Sequence, residues 1–343
     1  MKKKISFVAV GQAGGNIGQL FEEKGFAVLY VNTSQEDLDT LEHAKFKYHV
    51  PGGEGCNKDR HKAKQLIIED FDNIAQEIES KVRAEMIFVV FSSGGGTGSG
   101  AGPMLADLMI DEGMSVGVIT VIPGLEESVK SHINSYECFS ELTEIPRTGA
   151  CFILDNENGE KLKLNEDFAE SFMAFLEVPE KHKSVEGNID RAEVTETLKA
   201  HGMAVIARDR SMDSAGIIKA IKEGPFAPLE SDRVLKYITA SFAGNARMAD
   251  IERAVGMPVD NFRTFNDTET VCCISGLTYP QARFEEVYEK ISGSREQIEK
   301  NLAAVSGTGM KKGVNFLDER NSSVRKQDNR KSQTKRDIMS KYL

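Results

Sequence analysis

The segment Gly94–Gly100, reading GGGTGSG, constrains this chain more than any other. It follows the apolar run Met86–Phe91 after two serines and directly precedes a helix-like stretch, Ala101–Met109. A short, wholly apolar run reads as a buried strand. A strand that breaks into glycines and then a helix lets successive backbone N–H groups turn inward on a phosphate, with the positive end of the helix dipole behind them. Thr97 and Ser99 add hydroxyl donors. Gly94, Gly95, Gly96 and Gly98 leave out the Cβ atoms that would block close approach or forbid positive φ angles. A flexible linker is the competing reading, but linkers are seldom wedged between an apolar strand and a helix.

The alternation around this segment sets the fold class. Apolar strands are predicted at Ile5–Val10, Ala27–Val31, Met86–Phe91, Ser115–Val121 and Ala150–Leu154, with helices between them at Asn16–Lys24, Arg60–Lys81 and Gly102–Glu112. That order gives an α/β nucleotide-binding domain with a doubly wound, mostly parallel sheet. Ligands on such sheets sit at the carboxyl ends of the strands, where the glycine turns lie. A helix over Glu166–Glu177 leads out of the domain. A second, smaller α/β unit follows, with strands at Met203–Ala207, Val234–Ser241 and Glu269–Ile274 and helices at Ala215–Lys222, Ala246–Val255 and Ala282–Ala304. The expected division is 1–164 for the nucleotide-binding domain, 165–194 for a central helix and loop, 195–306 for the second unit and 307–343 for a tail.

Composition supports two cores, since 40% of the 343 residues are hydrophobic. The net charge of −10 argues against a surface that coats nucleic acid generally. Residues 311–343 reverse that sign: ten Lys and Arg against four Asp and Glu give +6 there and leave −16 on the rest. This basic stretch has too few apolar residues to fold alone and reads as disordered. The five cysteines (Cys56, Cys138, Cys151, Cys272, Cys273) show no metal-ligand spacing and point to reduced thiols in a cytoplasm. The apolar run after Met1 is too short for a signal sequence, and none approaches the roughly 20 residues of a membrane span.

Two further glycine turns precede helices: Gly11–Gly15 with Asn16 behind it, and Gly52–Asn57. The dinucleotide fingerprint fails at the first, because position 13 is Ala, and the second strand is followed by Asn32 where an NAD site needs an acidic residue. The P-loop motif fails at Gly94–Gly100, because no Lys follows the glycines. Phosphate charge is therefore left to backbone amides, a helix dipole and a metal ion, Mg²⁺. Three such turns on one sheet can surround a single polyphosphate.

With these residues in place, the chain resembles the tubulin/FtsZ superfamily of GTP-driven filament proteins over roughly residues 5–305. The signature stands intact at Gly94–Gly100, and Val10–Gly18 (VGQAGGNIG) is similar to the tubulin version of the first loop. The resemblance implies that Gly11, Gln12, Ala13, Gly14 and Asn16 meet the phosphates, with Gln12 near the β- and γ-phosphates or Mg²⁺. Asn32 falls in the family's second loop, while Gly53, Gly55 and Asn57 match its γ-phosphate sensor. Pro123–Glu127 is similar to the ribose loop, with Glu126 or Glu127 taking the hydroxyls. Asn156 fits guanine recognition after a strand, and Asn165 and Phe168 are the candidates on the central helix, although Phe168 and Phe172 also read as core. Far along the chain, Asn188-Ile-Asp190-Arg-Ala-Glu193 is similar to the family's synergy loop. Judged alone, that segment is a capped turn opening a helix.

The resemblance implies GTP hydrolysis completed between subunits, with Asp190 and Glu193 supplied in trans to the next subunit's nucleotide. A head-to-tail contact of that kind builds open filaments. The short chain, tubulin-like first loop and basic tail are most like the branch that partitions plasmid and phage DNA in a bacterial host. The implied partners are further copies of the chain and, through the tail, a DNA-binding adaptor of the TubR type that holds DNA indirectly, with no membrane partner. Cell-division and phage-spindle filaments are the nearest alternatives, and an NAD- or nucleotide-binding metabolic enzyme is the distant one.

Overall fold

A computed structural model describes residues 1–231 and 234–306, together with residue 340. The basic tail and its expected disorder lie outside the described residues, as do residues 232 and 233. Ten strands form one mixed sheet in the order β3-β2-β1-β4-β5-β6-β7-β10-β8-β9. The first seven positions are parallel: β3 (Phe46–His49), β2 (Ala27–Asn32), β1 (Ile5–Val10), β4 (Met86–Ser92), β5 (Val116–Ile122), β6 (Ala150–Asp155) and β7 (Gly202–Asp209). Beyond β7, β10 (Thr270–Leu277) is antiparallel to both neighbours, and β8 (Val234–Ala243) pairs in parallel with the edge strand β9 (Met257–Asn266). The two α/β halves join where β6 meets β7 over Ala150–Phe152 and Gly202–Ala204.

The central strands β1, β4 and β5 are mostly apolar and buried almost throughout because helices cover both faces of the sheet. Against it packs α7 (Lys161–Lys181), the central helix, whose Phe168 and Phe172 enter a cluster with Phe7, Phe21, Phe88 and Phe152. At 21 residues, α7 spans about 31 Å. Helix α5 (Thr97–Asp111) is buried from Thr97 to Ile110, so its apolar character runs all round.

Several elements depart from the sequence reading. The expected helix over 60–81 is two, α3 (Arg60–Glu69) and α4 (Phe71–Lys81), broken at Asp70, whose carboxylate accepts from Tyr48 and Asn73. Helix α1 (Gly11–Glu23) begins at the strand's end, so the first glycine run is the opening turn of a helix. Two strands, β3 and β9, and two helices, α2 (Gln35–Asp39) and α6 (Val129–Leu142), were not anticipated.

Candidate functional site

A cleft of about 590 Å³ opens at the carboxyl ends of β1, β4, β5 and β6. One wall is the turn Gly94–Gly96 with Thr97 and Gly98, and another is the start of α1 with Gly11, Gln12, Ala13 and Asn16. Gly55, Cys56, Asn57 and Lys58 enter from the loop before α3, and Ser34 and Asp37 from the start of α2. The opposite end is closed by Glu127, Asn156 and the first turns of α7, which contribute Lys161, Leu162 and Asn165.

The glycines are required for close approach more than for backbone angle. None between Gly94 and Gly100 has positive φ; only Gly11 (φ 72) and Gly55 (φ 78) among the predicted phosphate-site glycines do. A Cβ on Gly96 would lie 2.8 Å from the Lys58 amide nitrogen, and one on Gly98 would lie 3.2 Å from the Val10 carbonyl oxygen. Buried Asn134, on α6, ties the turn down: its Nδ2 donates to the carbonyls of Gly95 at 2.7 Å and Lys58 at 3.0 Å. With those carbonyls engaged behind the turn, peptide N–H groups are left for an anion.

Six of the predicted nucleotide-binding residues do not line the cleft. Phe168 is fully buried, edge-on to Phe226 at 5.7 Å, so it belongs to the core. The Ser99 hydroxyl is turned back onto the carbonyl of Gly95, in the turn just before its helix. Asn32 is buried and donates to Asp37. Gly14 and Gly53 are packing positions, where a Cβ would lie 2.3 Å from the Val90 oxygen and 2.5 Å from the Thr33 oxygen. Of the two ribose-loop acids, Glu127 lines the cleft and Glu126 does not.

Glu127 accepts from Asn156 Nδ2 at 3.0 Å and from Lys161 Nζ at 2.8 Å. Burial alone would raise its carboxyl, but hydrogen bonds from Lys161 and Asn156 outweigh it and hold the group below the usual carboxylate range. Asp190 and Glu193 lie elsewhere. Asp190 caps α8 (Arg191–Lys199), accepting from Glu193 N at 2.9 Å, while Glu193 accepts from Asp190 N at 2.8 Å. This capping box sits at the far end of α7, because Arg191 is bonded to Glu180 in the last turns of that helix at 2.7 Å.

Lysine is the feature the sequence reading missed. It assigned phosphate neutralisation to amides, a dipole and a metal, yet Lys58 and Lys161 both line the cleft. Among the described residues no group of three or more His, Cys, Asp or Glu forms a metal cage. The oxygens of Gln12 and Asp37 at the phosphate end fit a cation such as Mg²⁺, which takes one or two protein ligands and completes its shell with phosphate and water. All five cysteines are buried and unbridged, and none of the described helices is long and apolar enough to cross a membrane.

Comparison with known proteins agrees with this geometry. Residues 4–162 match the GTPase domain of the Tubulin/FtsZ family. The tubulin-like protein TubZ of a Clostridium botulinum C phage is 29% identical over 340 residues, covering 94% of this chain and 92% of that protein. The crystal structure of Clostridium botulinum phage c-st TubZ superposes with a TM-score of 0.78 at 27% identity, over 87% of this chain and 100% of that one. A GTPγS-form protofilament of Bacillus thuringiensis serovar israelensis TubZ shares the fold at 16% identity, with a TM-score of 0.77 over 88% of this chain and 94% of that one. Residues 4–162 are thus a GTPase domain of the Tubulin/FtsZ family, set in a chain that shares the fold of phage TubZ over most of its length.

Proposed function

We propose that this GTPase assembles head to tail into filaments that segregate plasmid or phage DNA in the cytoplasm of a bacterial host. The observation that carries the reading is the separation along α7: its first turns line the nucleotide cleft, while the Asp190–Glu193 capping box adjoins its last turns, about 31 Å away. Within one subunit those carboxylates are out of reach of the phosphates. In a head-to-tail contact one subunit's carboxylates meet its neighbour's nucleotide, so assembly completes the site.

In this mechanism the turn Gly94–Gly98, Gly11, Gln12, Ala13, Asn16, Gly55 and Asn57 hold the phosphates. Glu127 accepts from the ribose hydroxyls, and Asn156 and Asn165 face the guanine. Glu193 and Asp190 of the adjoining subunit orient a water in line with the γ-phosphorus. Its oxygen attacks as the bond to the bridging oxygen of GDP breaks, and the proton passes to the carboxylate. Gln12 and Asp37 would hold Mg²⁺, which supplies positive charge at the β- and γ-phosphates. The chain divides by role into residues 1–164, which bind nucleotide, the central helix and loop 165–194, and residues 195–306, which brace the loop. The basic tail, residues 307–343, engages a DNA-binding adaptor of the TubR type and so reaches DNA indirectly. The test is hydrolysis per subunit together with sedimentation across protein concentration: both rise together at a threshold with GTP and not with GDP. A per-subunit rate flat across that threshold overturns the shared site.

A further inference from the structure

We infer that Lys58 is a ligand of the nucleotide's outer phosphates, supplying in cis the positive charge that the glycine turn lacks. Two cations line the cleft among the described residues. Lys161 is spent on Glu127, whereas the hydrogen bonds of Lys58 Nζ run to two neutral hydroxyls, Ser128 Oγ at 2.8 Å and Ser131 Oγ at 2.7 Å. Hydroxyls stabilise an ammonium far less than an anion does, so Lys58 is a half-buried cation resting on weak partners at the wall of an anion site.

The backbone supports the same assignment. Asn57 (φ 41) and Lys58 (φ 60) both occupy the left-handed region, which non-glycine residues rarely adopt. Two such residues in succession persist only where the surroundings hold them. Here the hold is Asn134, which bonds the Lys58 carbonyl and the Gly95 carbonyl together, and Gly96, whose missing side chain makes room for the Lys58 amide. The lysine is thereby fastened to the phosphate turn itself. Its four-carbon stem lets Nζ leave Ser128 and Ser131 for a phosphate oxygen without moving the backbone. This assignment rests on guanine nucleotide occupying the cleft.

The experiment compares the full-length chain and Lys58→Met in competition against a fluorescent GTP analogue, with GTP, GDP and GMP as competitors. Lys58→Met weakens GTP and GDP by about 10- to 100-fold and leaves GMP, which lacks the outer phosphates, unaltered. Equal weakening of all three nucleotides, or of none, overturns the role of Lys58. A second measurement needs no variant: GTP and GDP protect Lys58 of the unmodified chain from amine acetylation mapped by mass spectrometry, and GMP does not. Labelling of Lys58 unaffected by GTP overturns the inference as well. Failure of the unmodified chain to bind any of the three would instead sink the assignment of the cleft, so the two failures are distinguishable.

Discussion

Arg283, in the first turn of α11 (Gln281–Ser306), grips the carboxylate of Asp155 with two hydrogen bonds, Nε to Oδ2 at 2.6 Å and Nη2 to Oδ1 at 3.1 Å. Both side chains are only 2% exposed, and the same guanidinium donates to the Pro123 carbonyl at 3.1 Å. Asp155 ends β6 just before Asn156, and Pro123 opens the loop that carries Glu127. One arginine therefore fastens the last described helix to two walls of the nucleotide cleft.

Replacing Arg283 with Met strands a buried carboxylate. The expected cost is about 3–5 kcal/mol of folding stability, because an unpaired buried charge is far worse than a well-packed apolar pair. Nucleotide affinity should fall as well, since Asn156 and Glu127 lose their brace. Adding Asp155→Leu should return most of the stability. Urea denaturation of both variants measures this, and a loss below 1 kcal/mol in the single variant would contradict it.

Glu193→Gln should separate binding from chemistry more cleanly than Glu193→Ala. The amide oxygen still accepts from the Asp190 N–H, so the α8 cap survives, whereas Ala removes a bond worth about 1 kcal/mol. Hydrolysis should fall about 100-fold or more with GTP binding intact, and filaments should persist. Mixing Glu193→Gln subunits with Gly96→Val subunits, which lack a phosphate turn, should give less activity than the unmodified chain but more than either variant alone if binding-competent and carboxylate-bearing partners meet. Turnover by Glu193→Gln at the normal rate would transfer the role to Asp190.

The glycines of the phosphate turn should not respond alike to alanine. A Cβ on Gly100 would lie 2.6 Å from the Arg60 carbonyl oxygen, with helix on both sides and no room to shift, so Gly100→Ala should lower stability by about 1–3 kcal/mol. Gly95 has nothing within 4 Å, so Gly95→Ala should fold normally and reveal its effect only in nucleotide affinity. Thermal unfolding without nucleotide distinguishes the two, and equal loss in both would refute the packing argument.

Deleting residues 321–343 should leave GTP-dependent assembly unchanged and abolish recruitment to adaptor-coated DNA. Residues 311–343 concentrate positive charge in a chain that is otherwise −16, which suits an acidic adaptor face and neighbouring phosphates. Co-sedimentation of filaments with the adaptor–DNA complex is the readout, and undiminished recruitment of the truncated chain would remove the tail from the coupling.

What was legible in the sequence follows from how each feature is encoded. Strands β1 and β4 are apolar runs interrupted only by Ser6 and by Ser92 at the end of β4, and the phosphate turn is a contiguous string, so both announce themselves locally. The edge strands do not: β3 has four half-polar residues, and β9 is largely exposed and carries Pro258, which only an edge tolerates. Lys58 escaped notice because its significance depends on Ser128 and Ser131, some 70 residues away, being folded against it. Phe168 misled for the converse reason. An aromatic on the central helix suits base stacking or core equally, and only the position of Phe152 and Phe226 around it decides for core.

The length of α7 has a consequence for the proposed polymer. In the proposed head-to-tail contact, nucleotide sits at one end of this helix and the completing carboxylates adjoin the other, so α7 separates successive nucleotides along the filament. That spacing would come from the fold of each subunit rather than from side chains at the contact. Interface substitutions would then alter how tightly subunits join and how fast they turn over, yet leave the repeat unchanged. Each added length would carry one nucleotide, so the polymer records its own growth in a fixed count of GTP per unit distance.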